Sequence, residues 1–411
     1  MPPRRLPIAA VILLYAGAWA GVSGAFPPAA ASAQAPAAAM PDSVVAYLDS
    51  ALSIMERNVI GGDTVDWDAF RARVVERAAG SEIPLDTYRT LRWALRSLNP
   101  HSFLQTGSER YREEMERHPE LAERAEQAAQ IERPVYSPFS GRDTPEGALL
   151  GPSDATGAER GPSDATGAER GPGAAGAERG TDGAAIGYVG VPSFGESHLT
   201  AFADSIQNVI REQHAAGACG WIVDLRGNGG GNMWPMLAGL GPLVGEGKLG
   251  EFHSIRGVDG VWFHESGVTG IDPTNGEDRV EIARVTEPYG LDAAPPVAVL
   301  FDRGTASSGE AVAIAFIARP DTRSFGAPSY GFTTANDGFR MPDGANLVLT
   351  VGVNADREGT PYPTALVPDE RVEPWPEGEI PANPPPTEED PQLQAALEWL
   401  RERAACGAGA G

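Results

Sequence analysis

PVAVLFDRGTASSGE, running from Pro296 to Glu310, is the stretch that decides the fold. Pro296–Phe301 is an unbroken apolar run, the pattern of a strand covered on both faces. Small and polar residues follow, and a helix begins near Ser308. A buried strand that feeds straight into a helix is half of a βαβ unit, which implies parallel pairing with right-handed crossovers. The same grammar extends outward. Upstream, Ile186–Val191 reads as a strand and Leu199–Ala215 as an amphipathic helix with Phe202, Ile206, Val209 and Ile210 on one side. Gly220–Leu225 (GWIVDL) reads as a second buried strand, followed by a glycine loop and a helix from Met233. Downstream, Asn346–Asn354 reads as a later strand and Leu393–Arg403 as a short final helix. The fold class is α/β with a mixed, largely parallel sheet.

Ligand and catalytic groups of open α/β sheets collect where strands end and helices begin. Ser307 stands at such an edge, at the positive end of a helix dipole that favours developing negative charge. It also satisfies the S-x-x-E capping spacing with Glu310, so nucleophile and helix cap both fit these residues. Ser308 is the rival nucleophile, and the spacing to Glu310 favours Ser307. A second segment, DLRGNGGGN from Asp224 to Asn232, has successive glycines at a strand end, which let backbone N–H groups turn toward one point. Three readings fit it: a dinucleotide loop, in which position 232 is Asn where a third glycine belongs; an oxyanion donor using Gly229 or Gly230; and a plain tight turn. A Walker A loop is excluded because no lysine follows.

A third segment, LNPHSF from Leu98 to Phe103, places His101 after a proline at the end of a helix. A lone loop histidine serves structure more often than chemistry. The other five, His118, His198, His214, His253 and His264, read as surface residues or lack metal-ligand spacing. No H-E-x-x-H and no paired-cysteine pattern exists, so neither a metal nor another cofactor is expected.

The whole chain frames these segments. Its 411 residues suit one large or two modest domains. The 32 Lys and Arg against 56 Asp and Glu leave a net charge of −24, which repels phosphate backbones and argues against nucleic acid and anionic membranes as partners. Cys219 and Cys406 are the only cysteines, too few for a disulfide framework. Arg4 and Arg5, the apolar run from Leu6 to about Val22 and Ala31-Ser32-Ala33 make residues 1–33 a signal peptide. The protein is then extracytoplasmic, periplasmic or secreted, with no stable membrane insertion after signal removal. A retained anchor is the alternative, although the run is short against the ~20 residues of a span. Residues 34–41 are an Ala/Pro spacer. Residues 42–135 form a helical domain: Asp42 is a possible N-cap, Val44, Val45, Leu48, Leu52 and Met55 share a face, and Val65–Ala79, Leu85–Leu98 and the charged Glu109–Ile131 follow. Residues 136–182 carry GPSDATGAER at 151–160 and again at 161–170, too poor in large apolar groups to fold, and are expected to be a disordered linker. Residues 183–375 are the α/β core, and 376–411 a Pro/Glu-rich tail with the last helix.

Taken in order, LNPHSF, GWIVDLRGNGGGN and VLFDRGTASSGE resemble the S41 family of serine peptidases, the C-terminal processing proteases and the tricorn core. The resemblance covers about 42–132 and 184–373. It implies a crotonase/ClpP-like core with a small N-terminal helical cap domain, and a peptide or protein as substrate. Two catalytic designs occur in that family. The Ser–Lys design fails here by inventory, since its lysine position holds Phe332 and Lys248 is the chain's only lysine. The other design takes a histidine from the N-terminal helical region. It implies that Ser307 attacks a peptide carbonyl near apolar C-termini of the substrate with His101 as base, while the N–H groups of Ser308 and of Gly229 or Gly230 hold the oxyanion. Asp369 and Glu370, in a segment that resembles the family's late P-D motif, are candidates to orient His101, and a surface role fits them equally. An imidazole of ordinary pKa would lose activity below about pH 6.5. The alternative is a non-catalytic binding module of the same fold for an apolar ligand or peptide, with Trp221, Trp234, Trp262 and Phe301 near its pocket. A scaffold docking through its acidic surface and linker is a third. Oligomeric state is not legible.

Overall fold

Apolar residues at helical spacing build the front of the structure, a computed structural model that describes residues 40–106, 116, 145–150, 185–195, 198–373 and 390–403. In α1 (Asp42–Asn58) the stripe Val44, Leu48, Ala51, Leu52 and Met55 is buried. Pro41 rather than Asp42 occupies its N-cap position, and Asp42 lies in the first turn, where its charge meets the helix dipole. α2 (Trp67–Arg77) starts at Asp66, whose carboxylate accepts the Ala69 N–H at 3.0 Å. α3 (Tyr88–Leu98) buries Leu91, Ala94 and Leu95 and stops two residues before Pro100. The signal and spacer through Ala39, all but Glu116 of the expected charged helix, the decapeptide repeat and most of the tail linker lie outside the described residues.

Two sheets form among the described residues. β1 (Phe103–Gln105) belongs to the first. β2 (Glu146–Leu150) and β3 (Ala185–Gly190) belong to the second and pair antiparallel. The segment expected to be disordered from 136 onward thus contributes a strand, since Ala148 and Leu150 pack against a core cluster. Next come α4 (Leu199–Ala215), β4 (Ala218–Asp224), α5 (Met233–Gly239) and α6 (Gly241–Val244). Four antiparallel strands follow in sequence: β5 (Gly247–Ser254), β6 (Gly257–Glu265), β7 (Val268–Pro273) and β8 (Val280–Arg284). The chain then returns to the second sheet with β9 (Val297–Phe301), α7 (Ser308–Phe316) and β10 (Thr322–Gly326). β11 (Thr334–Arg340) and β12 (Asn346–Asp356) join the first sheet, β13 (Glu370–Arg371) ends the second, and α8 (Pro391–Arg401) closes the chain.

The second sheet runs β13-β10-β9-β4-β3-β2 and is parallel except for β2. All five residues of β9 are buried, as its unbroken apolar run requires. α4, α5 and α7 cover one face through a cluster holding Ile206, Trp221, Val299 and Ile314; α8 covers the other with Leu393, Leu397 and Leu400. The first sheet is antiparallel, in the order β1-β12-β5-β6-β7-β8 with β11 also on β12. β12 pairs with β1 at Asn346–Val348 and with β5 at Gly352–Asp356. Leu347 and Leu349 of β12 share a core with α1–α3, so the front helices pack on this sheet and have no separate interior.

Candidate active site

The strand-to-helix turn after β9 holds Ser307 in an uncommon backbone state. Its φ is +53° and its ψ −118°. A helix N-cap ordinarily has extended backbone with its hydroxyl on an N–H of the first turn. Ser307 departs from that, and a non-glycine residue at positive φ is strained unless its surroundings hold it. The Ser307 N–H donates to Glu310 Oε2 at 2.9 Å. Glu310 is fully buried, and its other oxygen accepts from the Ser329 hydroxyl and, at 2.8 Å, from the Gly331 N–H. Burial raises the Glu310 carboxyl above the usual range, against the pull of those donors.

His101 reaches this turn from the front of the chain. The loop after α3 is fixed at both backbone ends of that residue: its N–H donates to Asn99 Oδ1 at 2.9 Å and its carbonyl accepts Asn336 Nδ2 at 3.0 Å. The ring stands 3.1 Å from Ser307 Oγ through Nε2 and 2.7 Å from Thr334 Oγ1 through Nδ1. Phe332 stacks on it at a centroid distance of 4.4 Å and 14°. Only 8% of His101 is exposed, and this burial pushes the imidazole down to about 4. The expected loss of activity below pH 6.5 assumed a solvated ring and is moved downward accordingly. Ser308, the rival serine, donates its hydroxyl to the Gly231 carbonyl at 2.6 Å.

The glycine loop lies against this turn. The Ala306 N–H donates to the Asn228 carbonyl at 2.9 Å, and Asp302 Oδ1 accepts the N–H groups of Gly227 and Gly304 at 3.1 and 2.9 Å. Gly230 has φ +109°, and a Cβ on it would stand 2.8 Å from Ser307 Cβ, which explains glycine there. Its N–H, however, donates to Asn228 Oδ1 at 2.9 Å, and the Gly229 N–H donates to Ser193 Oγ at 2.8 Å. The two glycine donors expected to face an oxyanion therefore have protein acceptors here, because Asn228 and Ser193 fold the loop back on itself. The expectation for Asp369 and Glu370 is corrected as well. Asp369 Oδ2 accepts the Ser324 N–H and hydroxyl, and Glu370 pairs with Arg323 at 3.2 Å, so both are committed to β10. Thr334, which sequence reasoning did not single out, occupies the place beside His101. A threonine opening a strand carries no signal of that role in a single sequence.

Trp221 and Trp262 are fully buried in the core. Phe301 borders a cavity of about 300 Å³ with Phe316, Ile317 and Arg319, at the end of α7 away from Ser307. Among the described residues no cluster of His, Cys, Asp and Glu could hold a metal, and no helix is long and apolar enough to cross a membrane.

The mixed sheets and covering helices, preceded by a helical segment, make an S41 peptidase-like fold. The sequence model of Peptidase family S41 matches residues 185–372. The nisin-resistance protein of Lactococcus lactis subsp. lactis is 31% identical over 176 residues, 42% of this chain and 51% of that protein. The chain thus spans about half the length of that relative. A lipoprotein from Streptococcus agalactiae has the same fold with TM-score 0.54 and 20% identity, over 88% of this chain and 96% of that one. The photosystem II D1 C-terminal processing protease follows with TM-score 0.50 and 16% identity, over 89% and 99%.

Proposed function

We propose that this chain is a serine endopeptidase of the S41 type that works outside the cytoplasm. The observation that carries this is the 3.1 Å approach of His101 Nε2 to Ser307 Oγ. A serine hydroxyl is a weak nucleophile and needs a base in hydrogen-bond reach. His101, neutral at physiological pH, takes the Ser307 proton as Oγ attacks the peptide carbonyl, and returns it to the leaving amine. Water then releases the acyl group by the same route in reverse. The Ser308 N–H, in the first turn of α7, is the oxyanion donor this arrangement favours, with the helix dipole behind it. The match of residues 185–372 to the Peptidase family S41 model and the likeness to the nisin-resistance protein support peptides as substrates, and cleavage near apolar C-termini is the extension of that likeness. The alternative of an apolar-ligand carrier loses support from Trp221 and Trp262, which are core residues with no open face.

Ser307→Ala and His101→Ala are each expected to abolish cleavage of casein, while Lys248→Ala leaves it intact. A fluorophosphonate should label Ser307 in the unaltered chain and nothing in Ser307→Ala. Wild-type proteolysis by folded His101→Ala would falsify the base assignment, and failure of Ser307 to label would return the chain to the carrier reading.

A further inference from the structure

We propose that Thr334 is the positioning residue of this site: its hydroxyl accepts the Nδ1 proton of His101, fixing the tautomer that leaves Nε2 open to Ser307, so that an uncharged group fills the third place. This deepens the proposed Ser307–His101 reaction and rests on it. The geometry is specific. Thr334 Oγ1 lies 2.7 Å from Nδ1, on the side of the ring away from the 3.1 Å contact with Ser307. For Nε2 to accept the serine proton, the hydrogen of the neutral ring must sit on Nδ1, where Thr334 alone offers a side-chain acceptor among the described residues. Phe332 closes one face of the ring, and Asn99 and Asn336 hold its backbone, so rotation about the side chain is limited from several directions.

The charged groups on the surrounding elements point elsewhere. Glu310 of α7 engages Ser307, Ser329 and Gly331. Arg96 of α3, Arg303 of the turn and Asp337 and Arg340 of β11 are exposed, and none forms an ion pair with the imidazole. In a site whose third group is a carboxylate, the imidazolium formed during acyl transfer meets a negative charge. Here it meets a hydroxyl dipole and an aromatic face. The ring therefore stays an uncharged base far into the acid range, and Thr334 contributes orientation rather than charge.

The rate of Ser307 modification by a fluorophosphonate, followed against pH in the full-length chain, tests this without knowledge of the natural substrate. Thr334→Val should slow labelling about tenfold, the usual effect of one neutral hydrogen bond. Thr334→Ser should restore it. Thr334→Asp should move the acid limb of the profile up by about one pH unit or more, because a carboxylate at Nδ1 favours the protonated ring. Equal losses in Thr334→Val and Thr334→Ser, or a limb that stays in place in Thr334→Asp, overturn the proposal. Should Thr334→Val fail to fold, nitrogen-15 NMR of the imidazole in the unaltered chain decides: a proton on Nδ1 at pH 7 supports the assignment, and one on Nε2 overturns it. His101→Ala and Ser307→Ala, run alongside, separate the two levels. If they label at the wild-type rate, the Ser–His reaction itself fails; if they do not label and the Thr334 variants are unchanged, only the role of Thr334 fails.

Discussion

His101 is held uncharged by its surroundings, and this sets two pH dependences of known sign. Burial lowers its pKa from 6.5 to about 4, so the imidazole, the base of the proposed reaction, remains neutral as pH falls through 6 and 5. Hydrolysis is expected to be level from pH 7 to 5 and to fall as pH drops through about 4, measured as the initial rate of casein cleavage with short acid exposures. A limb near 6.5 would show a solvated ring and refute the buried geometry. Stability follows the same group. The unfolded chain binds the proton at 6.5 and the folded chain only near 4, so stability is fully present above 6.5 and declines as pH falls between those values, by about 3 kcal/mol from this residue. The serine was legible in the sequence only as an ambiguity, since Ser307 and Glu310 fit a helix cap as well as a nucleophile. Both sides of that ambiguity persist in the fold, where Glu310 accepts the Ser307 N–H as a capping residue does while Ser307 Oγ stands 3.1 Å from His101 Nε2, at a positive φ that is not written in a single sequence. Thr334 and Phe332 were illegible for a different reason: their roles arise from contacts with His101 across more than 230 positions of chain.

At the scale of elements, α8 is tied to the glycine loop by a buried ion network. Arg226 donates to Asp224 through Nε and Nη2 at 3.0 and 2.8 Å, and to Asp390 through Nη1 at 2.6 Å. Asp390 is also the N-cap of α8, accepting the Gln392 N–H at 3.0 Å, and both Asp224 and Asp390 are fully buried. Asp390→Ala removes a helix cap and leaves part of a buried guanidinium without its counter-charge. A loss of about 3–5 kcal/mol is expected in urea unfolding, the range for breaking one side of a buried pair. A change below 1 kcal/mol would mean that water replaces the carboxylate there. Elements with a strong local signature were readable: Leu199–Ala215 and the start of α5 at Met233 appear as the sequence predicts, and β9 differs by one residue. The antiparallel strands β5–β8 were not. Their faces mix buried and exposed residues irregularly, and β-bulges break the alternation in β5–β6 and β7–β8. His264 shows the consequence. In the sequence it stood out only as a histidine without metal-ligand spacing, yet it lies buried on β6 with Nδ1 2.9 Å from the Gly245 carbonyl.

Across the whole molecule, the two groups of the proposed Ser–His pair come from different sheets. Ser307 stands at the end of the parallel sheet, whereas His101 leads into β1 of the antiparallel sheet on which α1–α3 pack. A substrate that reaches both must approach a chain with a formal charge of −24, and long-range attraction then favours cationic peptides at the encounter step. The effect belongs to association, so it enters kcat/KM and leaves kcat unchanged. With two peptides that share a scissile segment and differ only in flanking lysines or glutamates, the lysine peptide is expected to be cleaved with roughly tenfold higher kcat/KM at low ionic strength. Salt should erode the preference, because the screening length shrinks to about 10 Å at 0.1 M and about 3 Å at 1 M. A preference for lysine that persists at 1 M salt would place the discrimination in direct contacts at the site. Equal rates at low salt would show that the acidic surface does not face the path of the substrate.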